Sequence, residues 1–343
     1  MKKISVCLYG ALLLCSQWNT AQKNQWTSNR PDGHAPISVM GDHYHKKGEW
    51  MFSYRLMTMG MEGARSGTKD MGSGSIHQNY MVAPKKMNMQ MHMLGMMYAY
   101  SDGLTMMLMG NYSALSMDLV SRMNADFSTE SKGFGDLSLM ALVKLYNQNR
   151  KSIHLQAGVS IPTGSIDQKD DTPMMSNAPL AYPMQLGSGT WDPVIGLTYL
   201  GQSSLLSWGW QVNYKLRTGK NDNDYRLGNT FETLGWGAVK LSQKWSLATQ
   251  LKYIKRSEIK GRYAALNPMM MPLFDANNSG GSQWNLGFST NWYFPDGPLK
   301  NFRLGAGYEI PVYQHLEGIQ MKTKSLLTFG VQYSFKAKKE KEE

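Results

Sequence analysis

Two stretches of the chain concentrate the side chains that could do chemistry. The first, "HAPISVMGDHYHKKGEW", carries His34, Met40, Asp42, His43 and His45 within a dozen positions. In extended backbone, His-x-His puts both rings on one face, an arrangement that suits a copper or zinc ion. The candidate metal ligands are His34, Met40, His43 and His45. Two other readings compete: an exposed polar lead-in whose His43 and His45 are solvated, or a segment that folds into the following domain as a plug. The second stretch, "MNMQMHMLGMMYAYSDGLTMMLMG", runs from Met87 to Gly110 with nine methionines in twenty-four residues. Thioethers beside an imidazole could hold a soft cation such as Cu(I). They could equally form a pliable apolar lining for hydrophobic solutes. The choice depends on which face of which element they occupy.

The elements that must position these residues follow from the ends and the periodicity of the chain. Met1 to Ala21 reads as a secretory signal: Lys2 and Lys3, an apolar core Ile4 to Cys15, and a polar stretch ending in a small residue. Both cysteines, Cys7 and Cys15, fall in it, so no thiol is expected to serve the rest of the chain. Nothing after it approaches the eighteen consecutive apolar residues of a transmembrane helix. The formal charge of +11 is spread along the chain rather than gathered into a patch, which argues against a nucleic-acid partner.

Alternation with period two recurs through the chain, the mark of strands with two chemically different faces. In "SLLTFGVQYSFK", Leu327, Phe329, Val331, Tyr333 and Phe335 oppose Thr328, Gly330, Gln332 and Ser334. In "SWGWQVNYKLR", Trp208, Trp210, Val212, Tyr214 and Leu216 oppose Gly209, Gln211, Asn213, Lys215 and Arg217. Twelve such segments lie between residues 48 and 335, joined alternately by short turns and by long loops such as 162–189 and 257–281. That layout predicts an all-β protein, a transmembrane antiparallel β-barrel of about twelve strands. The expected organisation is a signal over 1–21, a His/Met-containing lead-in or plug over 22–47, the barrel over 48–335, and a charged periplasmic tail over 336–343.

Within a barrel the opening methionines become a hairpin. On strand 86–101 the polar residues Asn88, Gln90 and His92 are taken as the lumen face, which sends Met87, Met89, Met91 and Met93 to lipid. On strand 104–118, Thr105, Met107, Met109, Asn111 and Ser113 face the lumen. On strand 48–61, Glu49, Ser53, Arg55, Met57 and Met59 do so. The expected pore-lining set is Arg55, Met57, Met59, His92, Met107, Met109, Asp136 and Lys144. Further inward charges (Lys215, Arg217, Lys252, Arg303, Glu309) predict a hydrated interior crossed by ion pairs, with weak ion selectivity.

The runs "DGHAPISVMGDHYHKKGEWMFSYRLM" and "MQMHMLGMMYA" resemble a family of Gram-negative outer-membrane proteins catalogued as transporters. That family is grouped with meta-pathway phenol-degradation proteins and is distantly similar in architecture to the long-chain fatty-acid channel. The resemblance implies a porin-like channel in the outer membrane for passive passage of small hydrophobic or aromatic molecules, with no catalytic residues to carry over. The alternative is a copper-type metal-binding or tolerance protein using the His/Met clusters. An enzyme is not expected. A barrel phospholipase would need His-x-Ser on one strand face, whereas the seven histidines are followed two residues on by Pro36, His45, Lys47, Asn79, Leu94, Gln156 and Glu317. The expected partners are outer-membrane lipids, a small-molecule solute and the barrel-assembly machinery. No cofactor is expected, copper ion being the one candidate.

Overall fold

The computed structural model describes residues 26–336. The signal expected over 1–21, and the tail after Lys336, lie outside the described residues. Seventeen strands follow the lead-in. They are β1 (Glu49–Gly67), β2 (Lys69–Met71), β3 (Val82–Ser101), β4 (Leu104–Ser121), β5 (Asp126–Phe134) and β6 (Leu137–Gln148). Next come β7 (Lys151–Ile161), β8 (Lys169–Thr172), β9 (Met175–Pro179), β10 (Asp192–Gln202), β11 (Leu206–Lys215) and β12 (Tyr225–Arg226). The last are β13 (Thr230–Lys240), β14 (Trp245–Arg256), β15 (Lys260–Gly261), β16 (Gly281–Tyr293) and β17 (Phe302–Lys336). Among the described residues no helix is long and apolar enough to cross a membrane.

Eleven of these strands form one closed antiparallel circuit, sealed where β17 pairs with β1 from Glu49↔Lys336 to Gly67↔Leu316. The 35-residue β17 is itself a hairpin. Residues 303–316 pair with β16 and residues 316–336 with β1. Gln314 and Thr323, which would sit about 30 Å apart in a straight strand, exchange two hydrogen bonds of 2.8 and 3.0 Å. The chain reverses at Gly318, whose φ of 73° is one that L side chains rarely adopt. The wall is therefore crossed twelve times. The stretch 312–322 is therefore no long loop but mostly ladder around a tight turn.

Burial along the strands alternates in the opposite sense to a soluble sandwich. In β14, Ser246, Gln250 and Lys252 are buried while Trp245, Leu247 and Leu251 are exposed. Apolar side chains left in water in this way would forgo about 25 cal/mol for each Å²; facing hydrocarbon, they do not. Aromatic pairs mark both edges of the apolar belt. Trp245 stacks on Trp292 at the short-turn end, with ring centroids 6.0 Å apart, and Tyr253 packs on Trp284 toward the long-loop end at 4.8 Å. The eight-residue step from Trp284 to Trp292 covers about 27 Å of strand, comparable with the ~25 Å apolar band of outer-membrane barrels.

The faces of β1 and β4 are as the alternation predicts, but those of β3 are reversed. Directly paired residues on adjacent strands point the same way. Arg55, buried inside, sits opposite Met93, and Met57, Met59 and Met61 sit opposite Met91, Met89 and Met87. All four methionines of β3 therefore face the lumen. His92, expected to line the pore, lies outside, opposite Leu56 and hydrogen-bonded to the exposed Tyr54 hydroxyl at 2.8 Å. The physical reason is length. β1 and β3 run 19 and 20 residues, about twice what a spanning strand needs. Beyond the hydrocarbon the outer face meets water, so Lys86, Asn88 and Gln90 are polar without being lumenal.

This face assignment predicts opposite outcomes for two neighbouring substitutions. Leu94→Arg, on the outer face within the apolar belt, should destabilise the barrel by about 2–4 kcal/mol. Met91→Arg, facing the lumen, should leave folding nearly intact. Heat-modifiable gel mobility and urea titration in lipid vesicles compare them; equal losses would mean that β3 is wrongly oriented.

Candidate functional site

Residues 26–48 run inside the wall at the short-turn end, with Ala35, Ile37, Val39, His34, Asp42, His43 and His45 all buried. An extended segment has no ladder of its own, so its backbone groups need partners from elsewhere. The inward-facing side chains of the barrel supply them. Gln202 exchanges hydrogen bonds with the Thr27 backbone at 3.0 and 2.7 Å. Gln211 donates to the Met40 carbonyl at 3.0 Å. His154 and Gln156 both meet the Gly41 carbonyl, at 2.9 and 3.0 Å. Arg303 donates to the carbonyls of Ser28, Arg30 and Pro31 at 2.8–3.0 Å. Gly41 adopts φ +61°, and a Cβ there would stand 2.8 Å from Gln156 Oε1. Glycine at this position lets the chain turn against the wall and present Asp42 and His43 to the centre.

There the imidazoles converge. The rings of His34 and His43 are 3.9 Å apart between centroids, and those of His43 and His45 are 4.8 Å apart. Ligand atoms of His34, Asp42 and His43 all lie within 4.8 Å of one another. His43 Nδ1 is 3.0 Å from Asp42 Oδ1, close enough for an ion pair but not aligned as a hydrogen bond. Both ring nitrogens of His43, and Nε2 of His45, are buried without a hydrogen-bond partner. Each such orphaned group costs about 1–3 kcal/mol. Burial pushes the His34 imidazole well below its ordinary value, and Arg303 and His43 push it further. Burial likewise lowers His45. Burial would raise the Asp42 carboxyl, but His43, His34 and the Ala35 amide outweigh it and hold Asp42 well below the usual carboxylate range.

The structure redistributes the expected ligand set. His34, His43 and His45 come together and are not solvated, because the segment that carries them is enclosed. Met40 is turned away, its sulfur 3.0 Å from Arg55 Nη1, and Asp42 takes the place expected for it. The inward amides Gln156, Gln202, Gln211, Asn291 and Gln332, which hold the segment, were visible only as the polar half of each alternation.

The methionines form a wall rather than a cluster around the imidazoles. Met57, Met59, Met89, Met91 and Met93 are half-buried on the inner faces of β1 and β3. Met107 and Met109 pack with Met51, Met97, Met140 and Leu142 beside Tyr44. At the long-loop end, Met61, Met87 and Met321 border a cavity of about 340 Å³ that also touches Arg217, Arg256 and Leu273. Two short 3-10 turns, Tyr182–Met184 and Pro272–Phe274, fold into this mouth and pack on Met87, Leu115 and Met117. At the other end of the wall a void of only about 10 Å³ separates Met51, Met97, Met107 and Met109 from Asp42 and Arg55.

Two expected pore residues serve elsewhere. Asp136 accepts from the Gly164 amide and from the amide and hydroxyl of Ser188, at 2.6–3.0 Å, so it anchors the loop over 162–189. Lys144 lies exposed near the short-turn rim. Of the other charges expected inside, Lys252 pairs with Glu309 at 3.1 Å and Arg217 with Asp192, while Arg303 is bonded to backbone carbonyls.

Comparison with known proteins places this geometry. The family model described as "Putative MetA-pathway of phenol degradation" matches residues 98–323. The fold is similar to that of an outer membrane channel from Pseudomonas putida F1, with 14% identity, a TM-score of 0.59, and coverage of 87% of this chain and 100% of that one. A FadL homologue from Pseudomonas aeruginosa is 9% identical over 90% of this chain and 98% of its own, with a TM-score of 0.43. Comparison with curated proteins gives no match.

The seat of the enclosed segment can be weakened at one residue. Charge-assisted bonds such as those of Arg303 contribute about 1.5–3 kcal/mol each. Arg303→Leu should therefore leave a barrel with native heat-modifiable mobility while residues 26–48 become open to protease. Unchanged protection of that segment would show that Arg303 does not hold it.

Proposed function

The chain belongs to the phenol-degradation family whose model covers most of it, and from that premise we propose that it is an outer-membrane channel for passive passage of small hydrophobic or aromatic molecules. The observation that carries this reading is the thioether wall. It joins the cavity at the long-loop end to the enclosed segment at the other. Methionine is unbranched, has three rotatable bonds and makes favourable sulfur–aromatic contacts, so such a wall can admit rings of varied shape without a fixed pocket. The likeness to a protein described as an outer membrane channel agrees with this. Two ion pairs, Arg217 with Asp192 and Lys252 with Glu309, cancel part of the charge inside the wall. The reading needs no catalytic group.

The gate, on this reading, is residues 26–48 together with the 3-10 turns in the mouth. The segment is held by hydrogen bonds and packing, and so can shift without breaking a covalent bond. The test is uptake in a porin-depleted Gram-negative host. Expression should raise uptake of a labelled hydroxylated aromatic several-fold and leave a hexose unchanged. Removing residues 26–47 should raise both. Equal uptake of the hexose by the intact chain, or no gain for the aromatic, would overturn the reading.

A further inference from the structure

We propose that the enclosed segment carries a site for one borderline transition-metal cation, Cu2+ or Zn2+, held by His34, Asp42 and His43, with His45 placed to complete the set. This goes beyond the channel reading and does not depend on which solute passes.

Four observations converge on it. The first is the donor set. Two imidazoles and one carboxylate are the ligands that first-row divalent ions of this class favour, whereas Mg2+ and Ca2+ require oxygen-rich shells. The second is spacing. Ligand atoms within 4.8 Å of one another need only modest side-chain rotation to reach the roughly 3.3 Å separation set by metal–nitrogen bonds of about 2.0–2.1 Å. The third is what the buried groups lack. His43 has no hydrogen-bond partner on either ring nitrogen, and His45 has none on Nε2. The side chains of both are buried, with relative exposures of 0% and 4%. Buried imidazoles normally find a donor or an acceptor; Nδ1 of His43 has only the misaligned Asp42 Oδ1 at 3.0 Å, and Nε2 of His43 and of His45 have neither. The fourth is access. A cavity of about 180 Å³ opens on His34 and His45 from the short-turn end, with the Glu49 carboxylate at its side. It offers a cation an entry path that does not cross the methionine wall.

The surroundings orient the donors. His34 Nδ1 lies 3.0 Å from Gln332 Oε1, so the ring donates there and leaves Nε2 with its lone pair. Asp42 Oδ2 accepts from the Ala35 amide at 2.9 Å, which leaves Oδ1 toward His43. Two guanidinium groups, Arg55 and Arg303, stand nearby and oppose a cation. Arg303 is committed to three backbone carbonyls, while Arg55 reaches the Met40 sulfur through one nitrogen and keeps its Nε unmet. Bound metal would tie residue 34 to residues 42 and 43, and so stiffen the segment against the wall.

The full chain, purified in detergent and stripped with chelator, is titrated separately with CuCl2, ZnCl2 and MgCl2. A single saturable equivalent of Cu2+ or Zn2+ is expected, with nitrogen coupling in the Cu2+ electron paramagnetic resonance spectrum and no comparable Mg2+ binding. His43→Gln should abolish that binding. Gln332→Leu, which removes the bond that orients the His34 ring, should weaken it by about ten- to a hundredfold. His92→Gln, on the outer wall, should leave it unchanged. Heat-modifiable mobility shows that each variant is folded, and His34→Gln stands in for His43→Gln if the latter is not. No saturable binding to the intact chain, equal binding of Mg2+, or full binding retained in a folded His34→Gln or His43→Gln chain would overturn the site. Solute uptake measured in the presence of chelator tests the channel reading separately.

Discussion

Closure of the sheet is the constraint on which the rest depends. In hydrocarbon an unpaired strand edge leaves a row of amides and carbonyls with no partner, so the only workable sheet is one whose last strand finds its first. Here that seam is the ladder between β17 and β1, from Glu49↔Lys336 to Gly67↔Leu316. Once twelve crossings close, the enclosed volume is fixed by strand number and tilt, not by what the interior residues would choose to fill. The chain fills the short-turn half with its own residues 26–48, and the wall is shaped to take them. Ile37 lies against Gly305, Gly307 and Gly330, where a Cβ would come within 2.8–3.4 Å of its atoms.

An inside that is polar has its own demands. Every inward charge must be paired or solvated, and every carbonyl of the enclosed segment must be met. The two needs are answered together. Arg303, inward and buried, is satisfied by three carbonyls of the segment rather than by a carboxylate. Lys252 and Glu309, farther along the same wall, answer each other. Not every group is answered: Nε2 of His43 and of His45, and both amide atoms of Asn285 on the wall, are buried without a hydrogen-bond partner.

Much of this architecture was legible in the alternation of residues. The strands near the C-terminus and the faces of β1 and β4 follow from period two, because within the membrane outward means apolar and inward means polar. β3 was misread where that equivalence fails. Past the hydrocarbon its outer face meets water, and Asn88 and Gln90 became polar for that reason. Paired register, which sequence does not display, decided the matter by setting Met89 opposite Met59 and Met91 opposite Met57. The convergence of His34, Asp42 and His43 was hidden for a different reason. The segment has no regular structure, so its contacts are set by the wall around it and not by any period of its own. Asp136 was misassigned because a strand-end residue can serve a loop as easily as the lumen.

The lumen has two chemically distinct sides, and they differ in how firmly they hold the enclosed segment. β7, β10, β11, β16 and β17 reach it with amides, an imidazole and a guanidinium, bonded along its length from Thr27 to Gly41. β1, β3 and β4 reach it chiefly at its end, where the Gly48 amide donates to the Ala99 carbonyl and the His45 amide to Thr105 Oγ1, with Arg55 on the Met40 sulfur as the one inner contact of this kind. Elsewhere that side offers thioethers, which pack without directional bonds and change rotamer readily. The seam between segment and wall is thus loosest along the methionines, where the small void beside Asp42 and Arg55 already lies. A solute moving down from the cavity at the long-loop end would part this seam first, while the amide side kept the segment in register for its return.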